Sequence, residues 1–202
     1  MTYSELFATL ARVQPTLPGW CSVEKTACLA SLVLSTHPEV VVEIGVWGGS
    51  SAFPLALSLK YVGMGTLIAI DPWERLAAVA NQTTSEDRAH WDKQNYEAVY
   101  NNFMALLKSF QLDDIVRVER KKSDTVQPPN VIHLLHVDGG HDDSAVRDCA
   151  RFCPRVSLGG YAVLDDLDWT GGAVRRAEQF ILQRGFQKLY EVDKAGVYQR
   201  VR

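Results

Sequence analysis

Val40-Val41-Val42-Glu43-Ile44-Gly45-Val46-Trp47-Gly48-Gly49-Ser50-Ser51 is the stretch from which the fold follows. A run of β-branched residues ends in an acid and a glycine, then opens into a loop of small residues ahead of a helix. The apolar run is too short for a helix and reads as a strand buried on both faces, the habit of parallel sheets. Gly45, Gly48 and Gly49 admit positive φ and let a ligand approach the backbone with no Cβ in the way. Such a loop suits a nucleotide cofactor, yet it is neither of the two commonest forms. No lysine follows the last glycine, so a phosphate cradle of the Walker type lacks its cation. The spacing after Glu43 is Gly-x-x-Gly-Gly, not the Gly-x-Gly-x-x-Gly of dinucleotide folds. An acid at the strand end suits a cationic ligand group better than a pyrophosphate.

Outward from this stretch, strand and helix signals alternate. Upstream, residues 3–12 have the pattern of a short amphipathic helix, and Ser22 caps a second helix from about Val23 to Ser35. Downstream, a helix opens near Ser50–Ser51. Leu67–Asp71 is a second strand, stopped by Pro72, which has no N–H to continue a ladder. Residues 74–94 are the most polar and least patterned part of the chain. A helix from Tyr96 to Phe110 follows, with Val99, Phe103, Leu106 and Leu107 on one face. Ile115–Arg120 and Ile132–Asp138 are the third and fourth strands. A helix over Asp143–Cys153 leads through Ser157-Leu158-Gly159-Gly160 into a fifth strand, Tyr161–Asp165. A helix near Ala173–Arg184 precedes two closing strands, Phe186–Val192 and Gly196–Arg200. Repeated strand–helix–strand units predict a mostly parallel α/β sheet with helices on both faces, made mixed by an antiparallel pair at the end.

Composition sets the outer bounds. With 202 residues and 47% apolar side chains the chain can bury a full core, so one domain over 1–202 is expected, its N-terminal helices in 1–36. A net charge of −3 argues against a nucleic-acid partner, because only Arg117, Arg120, Lys121 and Lys122 cluster, as on a solvated strand edge. No apolar run reaches the roughly 20 residues of a membrane span, and the start lacks a signal peptide's basic and apolar regions. A cytoplasmic protein without a membrane partner is expected. Cys21, Cys28, Cys149 and Cys153 form no Cys-x-x-Cys pair; Cys149 and Cys153, one helical turn apart on an apolar face, read as buried thiols.

Carboxylates recur at the strand ends: Glu43, Asp71, Asp138 and the pair Asp165-Asp166, with Asp124 just past the third strand. In an open α/β sheet ligands bind outside the carboxyl ends of the strands, where strand order reverses. Glu43 and Asp71 flank the glycine loop, and either suits the hydroxyls of a ribose. Ser123 and Asp124 are placed to meet an adenine edge and Trp73 to stack on a purine; a strand-ending turn with a buried Trp73 is the alternative. Asp138, Asp165 and Asp166 would repel one another without a cation between them, and Mg²⁺ takes such oxygen ligands. The alternative is that Asp165 or Asp166 caps the following loop. His141, three residues after Asp138, is placed to act as a general base, or is a solvated loop side chain. Residues 74–95 fit a substrate lid with His90, Trp91 and Tyr96 facing an acceptor, or a helix capped at Ser85 with no chemical role. Residues near Trp20–Ser22 are placed to close over the cofactor.

Val-Val-Glu-Ile-Gly-Val-Trp-Gly-Gly-Ser-Ser, Ile-Asp-Pro-Trp, His-Val-Asp-Gly-Gly-His and Leu-Gly-Gly-Tyr-Ala-Val-Leu-Asp-Asp resemble class I S-adenosylmethionine-dependent methyltransferases. More narrowly, the chain is similar to metal-dependent O-methyltransferases of the catechol and macrolide-sugar kinds, from about Ser22 to the C-terminus. The resemblance implies a Rossmann-like, doubly wound fold. It implies that Glu43 and Gly45 line the methionine part of S-adenosylmethionine, with Gly49 in the same loop. Ser51 would touch the cofactor's carboxylate, Asp71 its ribose and Ser123 its adenine. Asp138, Asp165 and Asp166 would hold Mg²⁺, with Asp138 and His141 at the reacting oxygen. His141 stands where the catechol enzymes carry a lysine base and the sugar enzymes a histidine. The implied activity is methyl transfer to a hydroxyl of a small molecule, a sugar or phenolic natural product. Related enzymes often associate, so a homo-oligomer is carried as an expectation, although no surface stripe commits the chain to one.

Other readings stay open at this point. A nicotinamide dehydrogenase lacks its glycine spacing. A non-haem iron oxygenase has His136-x-Asp138 for two facial ligands, but no histidine after residue 141 supplies the third. A cofactor-binding protein that has lost its acceptor or serves as a partner subunit, or a hydroxylation-pathway protein of the same fold, also fits the motifs.

Overall fold

The computed structural model of the protein describes residues 1–80, 82, 84–169 and 172–202. Seven strands form one sheet. They are β1 (Val40–Ile44), β2 (Thr66–Ile70), β3 (Val116–Glu119), β4 (Ile132–Val137), β5 (Val156–Leu164), β6 (Phe186–Val192) and β7 (Ala195–Arg200). Their order across the sheet is β3-β2-β1-β4-β5-β7-β6. The first five are parallel, and β7 pairs antiparallel with both β5 and β6. Strand order reverses between β1 and β4, which places the expected ligand crevice above Ile44 and Val137.

The central strands are apolar without alternating with polar residues because both faces are covered. Val41, Leu134 and Val163 join one hydrophobic core, while Val42, Leu135 and Leu164 join the other. The first core holds α1 (Tyr3–Val13), α2 (Val23–Thr36), α3 (Ala52–Val62) and α6 (Tyr96–Ser109) against the sheet. The second holds α7 (Asp143–Phe152) and α8 (Ala173–Leu182), with Cys149 and Cys153 buried in it as free thiols. Helix starts follow their caps. Thr2 and Glu5 exchange the two bonds of a capping box on α1, and the Ser22 hydroxyl accepts the Lys25 N–H at 3.1 Å on α2. Among the described residues, no helix is long and apolar enough to cross a membrane.

Two expectations change. The fifth strand starts at Val156, not Tyr161: Val156 pairs with Ile132 and Tyr161 with Leu134, so five positions along β5 oppose two along β4. The surplus bulges out at Ser157–Gly160, where Gly159 takes a φ of +81°. The glycines that read as a loop are an interruption inside one strand. The polar stretch at 74–95 holds two short helices, α4 (Arg75–Ala80) and α5 (Ser85–Asp92). Helix α5 is capped one residue before Ser85, by Thr84, whose hydroxyl accepts the Asp87 N–H at 3.0 Å.

Gly45 joins β1 to the crevice. Its φ is +86°, and a Cβ there would lie 1.9 Å from the Asp138 carbonyl oxygen. Gly48 does not take a positive φ; it makes room instead for Pro18, whose Cγ would sit 2.2 Å from a Cβ. Gly45→Ala must therefore move the ends of β1 and β4 apart. The expected result is a loss of about 2 kcal/mol or more in urea unfolding; an unchanged midpoint would contradict this packing.

Candidate active site

The loop after β1 is held by one carboxylate. Asp71 Oδ2 accepts the N–H groups of Val46 and Trp47, each at 2.9 Å, and Oδ1 accepts that of Trp73 at 2.7 Å. Burial raises this carboxyl above the ordinary aspartate range, against the pull of the three N–H donors. Trp47 and Trp73 sit at positive φ, +48° and +43°, conformations that bulky residues adopt only when their surroundings impose them. Oδ1, which accepts one N–H, retains a lone pair for a ribose hydroxyl. Asp71 is thus the clamp of the loop before it is a ligand contact.

Trp73 does not offer a face to a purine. Its ring is 2% exposed, stacks on Phe103 with centroids 5.7 Å apart, meets Tyr100 edge-on, and donates Nε1–H to the Trp47 carbonyl at 2.8 Å. The buried-turn reading of Asp71-Pro72-Trp73 is the correct one, because an indole in the core cannot also stack on a ligand.

Beneath the loop, Glu43 is fully buried beside His136, its neighbour across β1 and β4, with Oε1 2.9 Å from Nδ1. Glu43 Oε2 and His136 Nε2 are buried with no hydrogen-bond partner. Orphaned polar atoms of this kind are rare in a finished core and point to a ligand group. Gly49 packs under Phe103, and Ser51 is 2% exposed at the start of α3, whose first turn has no side-chain cap.

On the other side of the crevice the acids converge, but not as expected. The ammonium of Lys25, from the first turn of α2, pairs closely with Asp165 Oδ2 and lies 3.6 Å from Asp138 Oδ2. Lys25 is 2% exposed. Asp166, at a φ of +53°, turns away to His141, with Oδ2 2.7 Å from Nε2. The His141 ring stacks on Trp169 at 4.1 Å, and both its nitrogens are buried without a hydrogen-bond partner. Asp165 Oδ1 accepts the Asp166 N–H at 3.0 Å, so Asp165 also caps the loop it begins. Asp138 and Asp165 share their environment unequally. Burial, and then the Asp165 charge, push the Asp138 carboxyl well above the usual range. Burial pushes Asp165 the same way, but Lys25, His136 and a hydrogen bond with Asp138 together hold that carboxyl below the usual range. Burial would lower the Lys25 ammonium, yet the two acids raise it, so it stays charged.

A divalent ion shared by Asp138, Asp165 and Asp166 does not fit this arrangement. The groups whose donor atoms lie within 4.8 Å of one another are His136, Asp138 and Asp165, and separately Asp138, His141 and Asp166. An ion on the Asp138 and Asp165 oxygens would stand about 4 Å from the Lys25 ammonium. At an effective dielectric near 20 that repulsion is roughly 8 kcal/mol. The cation that three acids demanded is present; it is a lysine. Its signal lay in the sequence, since Lys25, Leu29, Leu32 and Val33 share the buried stripe of α2, and a charge on such a stripe must be paired.

The remaining expected residues lie at the rim. Ser123 is half-buried in a single turn over Ser123–Thr125; its carbonyl accepts the Arg151 guanidinium and its hydroxyl bonds Asp148. Asp124 in the same turn is exposed. Helix α5 meets the loop through aromatic edges, Trp91 lying 4.8 Å from Trp47 and 5.8 Å from Trp20, and Tyr96 at the start of α6 meets Trp47 at 5.6 Å.

The family described as "Methyltransferase domain" matches residues 42–167. No curated protein matches the sequence. Among solved structures, the O-methyltransferase NovP is 19% identical, with a TM-score of 0.70, over 90% of this chain and 81% of NovP. The O-methyltransferase TomG from Streptomyces achromogenes, involved in tomaymycin synthesis and solved with SAM, is 15% identical with a TM-score of 0.65, over 100% of this chain and 92% of its own. An O-methyltransferase from Bacillus cereus, solved with SAH, is 13% identical with a TM-score of 0.64, over 100% and 93%. At these identities the structures share the fold.

Two outcomes follow from the site's geometry. Asp71→Ala strands three backbone donors and is expected to cost about 2–3 kcal/mol in urea unfolding; a neutral result would remove Asp71 as the clamp. Asp148, 3% exposed, has its carboxyl pushed up to about 6, first by burial. The folded state thus holds this proton more tightly than the unfolded chain, whose aspartates titrate near 4. The stabilisation is complete below that range and is lost as pH rises through about 6. Relative to Asp148→Asn, the protein should lose up to about 3 kcal/mol between pH 4 and pH 7; parallel stability curves would contradict it.

Proposed function

The chain belongs to the methyltransferase domain family, and from that premise we propose that it transfers a methyl group from S-adenosylmethionine to a hydroxyl of a small molecule, a sugar or phenolic natural product. Membership removes the dehydrogenase and oxygenase readings, and His136 is committed to Glu43 besides. The observation that carries the proposal is the abutment of two half-sites at the β1/β4 reversal: the loop with Glu43 and Asp71, and His141 with Asp166. The N–H of Asp138 bonds the carbonyl of Ile44, so both halves are anchored to one pair of strand ends.

The demands of the chemistry match what these residues offer. Ionising an alcohol of pKa near 15 at neutral pH costs roughly 11 kcal/mol, and a phenol near 10 about 4 kcal/mol. His141, whose ring nitrogens are buried and make no hydrogen bond, takes the proton as the oxygen attacks. Asp166 Oδ2, 2.7 Å from Nε2, balances the imidazolium that forms. The sulfonium is already a good leaving group, so the remaining task is to align oxygen, methyl carbon and sulfur in a dry crevice. The α5 lid and Trp20 would exclude water from it. Mg²⁺, implied by the sequence resemblance, supplies charge stabilisation in enzymes that hold it.

His141→Ala is expected to lower kcat by about 10²–10⁴-fold while leaving the calorimetric affinity for S-adenosylmethionine within about twofold. Absence of cofactor binding in the unaltered protein would overturn the proposal. Undiminished turnover in the variant would remove His141 as the base.

A further inference from the structure

We propose that Lys25 is a built-in cation of this site, taking the position between Asp138 and Asp165 that a divalent ion would otherwise fill, so that the protein needs no metal. The inference rests on the methyltransferase reading for its consequence, but not for its geometry. Lys25 is buried at 2% exposure, and its ammonium faces two carboxylates from β4 and β5 whose charge it neutralises. It arrives there on a helix fixed by the Ser22 cap and by Leu29, Ala30 and Val33 in the core.

The ammonium's donor capacity supports the assignment. An ammonium has three N–H donors. Among the described residues its hydrogen-bond partner is Asp165, with Asp138 beyond at 3.6 Å. Donor capacity is left for the oxygen of an acceptor bound beside His141. Asp138 belongs to both clusters of donor atoms in the crevice, so a divalent ion at either would meet the same ammonium.

The experiment is titration of the full chain with Mn²⁺, read by electron paramagnetic resonance, alongside turnover with and without EDTA. The unaltered protein should leave the Mn²⁺ signal free up to millimolar metal and keep its turnover within about twofold in chelator. Lys25→Ala, which vacates the position, should bind one Mn²⁺ per chain, gain thermal stability from it, and acquire metal-dependent turnover. Lys25→Arg, which keeps a cation in the position, should leave the Mn²⁺ signal free as the unaltered protein does. One tightly bound Mn²⁺ in the unaltered protein, or turnover abolished by EDTA, would overturn the proposal, as would a folded Lys25→Ala that binds none. If the alanine variant does not fold, the resonance titrations of the unaltered and arginine proteins decide. Those titrations read metal binding directly, so a protein that fails to transfer methyl groups would defeat the functional reading and leave this test intact.

Discussion

Two aspartates at the ends of adjacent parallel strands, Asp165 buried and Asp138 half-buried, must be neutralised for the crevice to exist. Lys25 does this from a helix that precedes the sheet in the chain, and the rest of the site is arranged around that pairing. Removing one member of a buried ionic group leaves an uncompensated charge, which costs far more than the intact group contributes. The N-terminal helices are therefore part of the crevice and not an appendage to the sheet. Their second contribution is steric: Pro18 and Gly19 lie against Gly48 and Ser50 of the glycine loop, and Gln14 donates to the Ser50 carbonyl.

The two halves of the site are linked through the strand ends. Asp71 shapes the glycine loop from β2, Glu43 and His136 lie side by side below it on β1 and β4, and Asp165 follows at the end of β5. A row of charged and polar groups thus runs from the cofactor loop to the base. Parallel strands make this possible, because all their carboxyl ends open on one edge of the sheet. The order reversal between β1 and β4 sends the following helices to opposite faces, and the gap left between them is the crevice.

Hydrophobic patterning made most of the architecture legible before any coordinates. The apolar runs at Val40–Ile44 and Ile132–Val137, with helical stripes between them, imply strands buried on both faces and hence parallel neighbours. The closing pair, β6 and β7, was legible as antiparallel from the short connection between them. Where local signals conflicted the reading failed. Gly159 and Gly160 looked like the end of a loop, although the strand continues through them as a bulge. Trp73 looked like a stacking platform, yet its ring lies in the core against Phe103.

By itself the sequence determined the periodicities, the caps and the placing of acids at strand ends, because these depend on residues two to four positions apart. It also carried the glycine loop and the motifs shared with methyltransferases. Only the tertiary structure decided how the acids are shared, since Lys25 and Asp165 are 140 residues apart and meet through packing of α2 over the sheet. The sequence could show that three carboxylates needed a cation. Which cation, and that Asp166 would turn to His141 instead, depended on the directions in which side chains emerge from separately placed elements, and no local pattern encodes them.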